Sequence, residues 1–152
     1  MQTEELTKIE RSVFIRAPRS RVWKALTDTT QFCQWFCAST KDQFRVGART
    51  NLASTYPGHE GKEFFADIDE IQPEHRFSWR WHPGGKADGK PADEPMTTVV
   101  FDLEEIDGGT RVTVTESGFD HLSVARRAQA FRSNDQGWTL QMQNLLKYAE
   151  AT

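Results

Sequence analysis

The chain has 152 residues, of which 37% are hydrophobic, and its formal net charge is −3. This length predicts a single domain (1–152) that can bury a real core, and the negative charge argues against a dedicated nucleic-acid binder, because phosphate contacts need a basic face. No run approaches the roughly 18 apolar residues of a membrane span. The polar, acidic start is unlike a secretory signal, so we expect a cytoplasmic protein.

Several kinds of chemistry are excluded by motifs that the sequence lacks. Two cysteines are too few for a zinc site made of thiolates. No His-Glu-x-x-His helix, phosphate-binding loop, dinucleotide fingerprint or Gly-x-Ser-x-Gly elbow occurs. We therefore expect neither a metal nor another cofactor.

The first segment predicts a strand that runs directly into a helix. Apolar residues at alternate positions, among them Ile9 and Ile15, predict a strand over 7–16. Pro18 ends that pattern and suits the first turn of a helix, which we place over 18–26. Asp28, Thr29 or Thr30 can then cap a second short helix, since their side-chain oxygens accept hydrogen bonds from free amides.

The middle of the chain is a series of strands. Turn residues such as Pro57-Gly58 and Gln72-Pro73 separate them. The turn Asp107-Gly108-Gly109 predicts a hairpin between the last two strands. The strands are predicted over 49–56, 62–71, 76–81, 97–106 and 110–117. The segment 82–95 is rich in glycine and proline, and we interpret it either as a lid or as an idle surface loop.

The chain ends in a predicted helix. Its apolar stripe recurs at three- and four-residue steps, and Asn134 or Asp135 is placed at its start. A shorter helical stretch is predicted before it, over 123–131. The stripe consists of Trp138, Met142, Leu145 and Ala149.

Motifs spread over nearly the whole chain carry a family resemblance. The sequence is similar to the SRPBCC (START-like) superfamily, which includes the birch allergens. Within it, the chain resembles the bacterial homologues of the activator of the 90-kDa heat-shock-protein ATPase. The motifs are Arg11-Ser-Val13-Phe-Ile15-Arg-Ala17-Pro18, Val22-Trp23, Leu26-Thr27-Asp28, Trp35-Phe36, Thr115-Glu116-Ser117-Gly118-Phe119 and Gly137-Trp138-x-x-x-Met142-x-x-Leu145-x-x-Tyr148.

The resemblance implies an α+β helix-grip fold. In that fold a curved antiparallel sheet wraps around a long C-terminal helix, with two short helices after the first strand. An apolar cavity between sheet and helix is common in such proteins. Because members of the superfamily differ widely in activity, the fold alone does not decide the function.

Bulky apolar side chains are the first candidates for a ligand site. Such side chains line most ligand pockets, although each one could equally serve only to fill the core. We predict that they line the cavity together. The candidates are Trp35, Phe36, Phe64, Phe77, Trp79, Trp81, Phe101, Trp138 and Met142.

Two charged residues are predicted on apolar strand faces. Glu116 shares strand parity with Val112 and Val114, and Arg11 shares it with Ile9. We expect the two charges to lie near each other at the cavity, either as a buried ion pair or as a polar anchor for a ligand.

Three functions remain open at this stage. The leading one is a non-enzymatic protein that binds a small apolar molecule such as a lipid. The second is a cyclase-like or aromatase-like enzyme acting on a polyketide or lipid-like substrate, with Glu116 as the first acid–base candidate and His82 or Asp67 behind it. The third is a chaperone-interacting module. The eukaryotic activator carries an additional domain before this one, which the present sequence lacks, and this difference argues against the third function. A homodimer is compatible with each of them.

Overall fold

A computed structural model describes residues 7–83 and 95–151, and over these residues the strands form one antiparallel sheet. Its seven strands lie in the order β1-β7-β6-β5-β4-β3-β2. Most of the predicted loop 82–95 lies outside the described residues. The strands are β1 (Lys8–Ile15), β2 (Ala38–Ser39), β3 (Arg49–Ser54), β4 (Glu63–Gln72), β5 (Arg76–Trp81), β6 (Thr97–Ile106) and β7 (Gly109–Ser117).

The helices complete the predicted helix-grip fold. Two short ones, α1 (Arg19–Thr27) and α2 (Thr29–Phe36), follow β1, and the long α3 (Val124–Glu150) closes the chain against the sheet. A single 3-10 turn, Phe119–His121, precedes α3 among the described residues. The fold class predicted from the sequence is thereby confirmed.

Asp28 separates the two short helices. It follows the last residue of α1, and its side chain accepts hydrogen bonds from the amides of Thr30 (3.0 Å) and Gln31 (3.2 Å) at the start of α2. Of the three predicted caps, Asp28 is therefore the one that the chain uses, because its carboxylate reaches two amides that have no partner within the helix.

The start of α3 corrects the sequence-based prediction. The helix begins at Val124 rather than near residue 134, and the side chain of Ser123 caps it by accepting a hydrogen bond from the Arg126 amide (3.3 Å). Asn134 and Asp135 were expected to cap a new helix. Instead the Asn134 side chain donates to Glu116 on β7 and the Asp135 side chain pairs with Arg11 on β1. Neither side chain therefore caps backbone amides, and the helix runs through both residues.

Strand alternation places one face of the sheet against the long helix. On β1 and β7 the cross-strand pairs include Ile9 with Glu116 and Val13 with Val112. Residues of this face are mostly buried, whereas the opposite face carries cross-strand ion pairs such as Arg76 with Asp102 (2.8 Å). The buried face of β7 therefore presents Glu116 to α3.

Gly109 is required where the last hairpin meets β1. A Cβ at this position would lie 2.6 Å from the carbonyl oxygen of Ile15 and 2.6 Å from the ring of Phe14. Gly109→Ala is expected to lower the free energy of unfolding by about 1–3 kcal/mol, because backbone or ring must shift to admit the methyl group. Urea unfolding followed by circular dichroism measures the change.

Gly137→Ala is the matched control for this prediction. A Cβ at Gly137 meets no described heavy atom within 4 Å outside its chain neighbours and the nearby helix backbone, and the residue lies in a helix, where alanine is favoured over glycine. The control is expected to unfold at a slightly higher urea concentration than the wild type. An unchanged unfolding midpoint in Gly109→Ala would contradict the steric argument.

Candidate functional site

Glu116 is a carboxylate enclosed between the sheet and α3. It lies near the end of β7 and is 0% exposed. Burial of a charged group is costly unless hydrogen bonds replace its lost hydration. The neighbours of Glu116 therefore decide what the group can do.

Four side chains donate hydrogen bonds to this carboxylate. Its Oε2 accepts from the Trp81 indole Nε1 (2.9 Å) and the Thr97 hydroxyl (2.5 Å), and its Oε1 accepts from the Trp138 indole Nε1 (2.8 Å). The amide nitrogen of Asn134 bridges both oxygens at 2.8 and 3.0 Å. The donors come from β5, β6 and α3, so the carboxylate joins three elements.

All four donors are neutral. An indole N–H can only donate, so two indoles facing one group require an acceptor, and a carboxylate is the side chain richest in acceptor sites. Hydrogen bonds to a charged acceptor are shorter and stronger than those between neutral groups. The cluster of Glu116, Trp81, Thr97, Asn134 and Trp138, termed here the carboxylate cluster, therefore compensates the burial of Glu116 without a described cation.

The predicted ion pair between Arg11 and Glu116 is wrong. Arg11 instead pairs with Asp135 on α3, and its Nε also donates to the Thr139 hydroxyl at 3.3 Å. In the register Arg11 lies opposite Val114, diagonally across from Glu116, but its guanidinium is bound by groups on α3, while neutral donors occupy both oxygens of Glu116. The side chains of Arg11 and Asp135 are each 36% exposed, so this ion pair is partly accessible to solvent. A role of Arg11 in ligand binding stays a prediction.

An open cavity of about 600 Å³ adjoins the carboxylate cluster. Phe36, Phe64 and Trp81 supply aromatic walls from α2, β4 and β5, while the segment that joins β3 to β4 supplies polar groups. The remaining lining residues are Ser54, His59, Gly61, Lys62, Glu63, His82 and Asn134.

A smaller pocket of about 130 Å³ lies against α3. Phe36, Trp81 and Asn134 line both pockets and so form the wall that the two share. Two of these three residues, Trp81 and Asn134, donate hydrogen bonds to Glu116. The carboxylate therefore lies behind the shared wall and holds that wall in position. The smaller pocket is termed the inner pocket because more of its lining comes from α3; like the larger one, it is open to solvent. The residues found only in it are Gly137, Trp138 and Gln141.

Aromatic packing stiffens this wall. The ring centroid of Trp81 lies 6.0 Å from that of Trp138, 6.3 Å from that of Phe36 and 6.2 Å from that of Phe64. Pairs at such separations are stabilised beyond their burial when they are tilted or edge-on, as these are. Trp81 is therefore held by its ring contacts as well as by its N–H.

The structure divides the aromatic residues predicted to bind ligand. Phe36, Phe64, Trp81 and Trp138 line one or both pockets. The remaining candidates line neither pocket and are buried behind those walls, where they pack the core. These are Trp35, Phe77, Trp79, Phe101 and Met142. Trp35 also donates its N–H to the Ala25 carbonyl at 2.7 Å, which ties α2 to α1.

Several lining residues were missed by the sequence argument. Asn134 was considered only as a helix cap, although it precedes Trp138 by four residues and so shares its face of the helix. That spacing was the signal available. Lys62 carried no pattern that would have indicated a role, because residues of a turn acquire their direction only from the strands they connect.

The two reserve acid–base candidates lie in different settings. Asp67 forms an ion pair with Arg49 at 2.7 Å, and the hydrogen bond from Arg49 lowers the pKa of this carboxyl. Asp67 lines neither pocket. His82 lines the larger cavity, and its ring packs edge-on against Phe65 with centroids 5.3 Å apart.

Within the described residues, no three side chains of His, Cys, Asp or Glu converge in a way that could hold a metal ion. In that same part of the chain, no helix has both the length and the apolar character needed to cross a membrane.

The comparison with protein families covers almost the entire chain. Residues 16–150 match the family described as Activator of Hsp90 ATPase homolog 1-like protein. The chain belongs to this family. The resemblance seen in the sequence motifs is thus confirmed, and the motif Gly137-Trp138 that carried it lies in the inner pocket. A comparison with curated proteins finds no significant match.

Solved structures share the fold of this family member. A protein from Arthrobacter aurescens is 17% identical with a TM-score of 0.80, covering 100% of this chain and 91% of the other. MLL2253 from Mesorhizobium loti is 21% identical with a TM-score of 0.77, covering 95% and 98%. The Aha1 dimer from Colwellia psychrerythraea is 17% identical with a TM-score of 0.72, covering 94% and 96%.

Proposed function

We propose that this chain binds a small, largely apolar molecule in the cavity between the sheet and α3. The observation that carries the proposal is the open cavity of about 600 Å³, whose aromatic wall is fixed from behind by the carboxylate cluster. Ligand pockets usually measure about 300–1,000 Å³ and combine apolar walls with a few polar groups. This cavity has the volume of such a pocket, and three aromatic rings form its apolar wall, while the other side chains that line it are polar.

The polar side of the cavity supports an amphipathic ligand. Lys62, His59 and Asn134 line the cavity together with Phe36 and Phe64. An apolar body packed on the rings gains about 25 cal/mol for each Å² removed from water, while a polar group on the other side fixes its orientation. A ligand with a flat body and one polar end fits this division.

Binding without catalysis is favoured by the state of Glu116. Its two oxygens already accept five hydrogen bonds, and the residue is 0% exposed. A general acid or base must come within hydrogen-bonding reach of its substrate. Glu116 therefore serves better to position the wall than to transfer protons.

The proposal predicts that ligand binding quenches Trp81. Tryptophan emission of the wild type is to be titrated with naringenin, emodin and palmitate, and binding is to be measured in parallel by calorimetry. We expect at least one compound to bind and to quench emission, because Trp81 lines the cavity. In Trp81→Phe part of the quenching should disappear, the remainder coming from Trp138 in the inner pocket, while calorimetric heat remains because the phenyl ring preserves an aromatic wall.

Trp23→Phe is the matched control for this titration. Trp23 packs edge-on against Phe77, with centroids 6.5 Å apart, and lines neither pocket. Its replacement should leave the quenching as in the wild type. If none of the three compounds produces heat or quenching with the wild type, the proposal fails.

A homodimer is a further part of the proposal. It is supported by the likeness of the fold to Aha1 from Colwellia psychrerythraea, which is described as a dimer. Sedimentation equilibrium distinguishes a dimer from a monomer. Binding to a chaperone rests on the family description alone.

A further inference from the structure

Gly137 occupies an unfavourable position for a glycine. It lies in the interior of α3 (Val124–Glu150), where glycine weakens a helix relative to alanine because its backbone loses more freedom on folding. A glycine inside a helix therefore calls for a reason, which is usually a positive φ or a close approach by another group.

Neither of the usual reasons is found in the described residues. Gly137 does not have a positive φ, and a Cβ built on it meets no described heavy atom within 4 Å apart from its two chain neighbours and the nearby backbone of α3. Gly137 lines the inner pocket, and Asn134 and Gln141, which lie three residues before it and four after it on the same face of α3, line that pocket too. The protein's own described groups therefore do not account for the glycine.

We infer that Gly137 is a ligand contact, at which a planar ring of the bound molecule lies against the backbone of α3. This inference rests on the proposed function and names the chemical class of the ligand, an aromatic compound. Glycine at this point allows a ring to approach the helix more closely than any other residue would.

The inner pocket has the size and walls that suit a single ring. Its volume is about 130 Å³, and a cavity of about 150 Å³ in another protein holds benzene. Trp81, Trp138 and Phe36 provide aromatic surfaces. Gln141 also lines the pocket, and its side-chain amide donates to the Phe36 carbonyl at 3.1 Å and so ties α2 to α3.

Gly137→Ala tests the inference because its expected effects on stability and on binding have opposite signs. The melting temperature should rise by about 2–4 °C, as the helix gains propensity. Affinity for the ring compounds naringenin and emodin should fall about tenfold or more, because the methyl group overfills the pocket. Palmitate, which has no ring, should lose less.

Ser133→Ala is the matched control. Ser133 is exposed on α3 and lines neither pocket, and its replacement also raises helix propensity. It should bind all three compounds as the wild type does.

Three outcomes are distinguishable. A more stable Gly137→Ala with weaker binding of the ring compounds supports the inference. If Gly137→Ala binds the ring compounds with the same affinity as the wild type does, the inference is overturned and the proposed function still stands. A wild type that binds none of the three compounds overturns both.

Discussion

Glu116→Gln is expected to lower the free energy of unfolding by about 2–4 kcal/mol. The substitution keeps the size of the side chain and exchanges one acceptor oxygen for an NH₂ group. Its effect therefore comes from the hydrogen bonds of the carboxylate cluster and not from a cavity.

The geometry of the cluster explains why glutamine cannot replace glutamate. Trp81 donates to one oxygen of Glu116 and Trp138 to the other. Whichever way a glutamine amide is turned, its NH₂ group faces one of the two indole N–H groups. Thr97 and Asn134 can adapt by accepting instead of donating, but an indole cannot. One buried indole N–H is left without a partner in either orientation, and the charge that strengthened the other bonds is lost.

Denaturant unfolding followed by circular dichroism measures this change. Glu105→Gln is the matched control, because Glu105 is exposed on β6 and makes none of the ion pairs described, and the expected change is within about 0.5 kcal/mol. A Glu116→Gln variant as stable as the control would contradict the role given to the carboxylate cluster.

Trp79→Ala is expected to cost about 3–5 kcal/mol, as is usual when a large buried aromatic side chain is truncated. Trp79 is 1% exposed, and its ring centroid lies 5.5 Å from that of Phe77, 5.4 Å from that of Phe101 and 5.9 Å from that of Phe32. Its removal leaves an empty space that these rings cannot fill by small movements.

Trp79→Phe separates packing from hydrogen bonding in the same position. The N–H of Trp79 has no hydrogen-bond partner among the described residues, so phenylalanine forfeits only part of the ring. We expect a cost of about 1.5 kcal/mol or less, and unchanged affinity for any compound that the wild type binds. Thermal unfolding and calorimetry measure the two quantities. Weaker binding by a fully folded Trp79→Phe variant would contradict this expectation and would indicate that Trp79 contributes to the ligand site.

Much of the fold followed from local patterns in the sequence. Alternation of apolar residues predicted β1 and β7 and the inward direction of Glu116, because successive side chains of a strand point to opposite faces. The positive φ values of Asp107 and Gly108 bear out the predicted hairpin turn. These features depend on residues close together in the chain, which is why the sequence by itself determined them.

Only the tertiary structure decided which groups meet. Arg11 pairs with Asp135, more than a hundred positions away in the chain, because the placement of α3 on the sheet brings the two together. The donors to Glu116 are neutral side chains from β5, β6 and α3, which only the packing of these elements makes neighbours. The same holds for the aromatic residues. Sequence patterns predicted that Trp79 and Trp81 face inward, yet Trp79 is sealed in the core and Trp81 forms the wall of a cavity. The difference depends on where the sheet, α2 and α3 leave space between them, and no local pattern encodes that space.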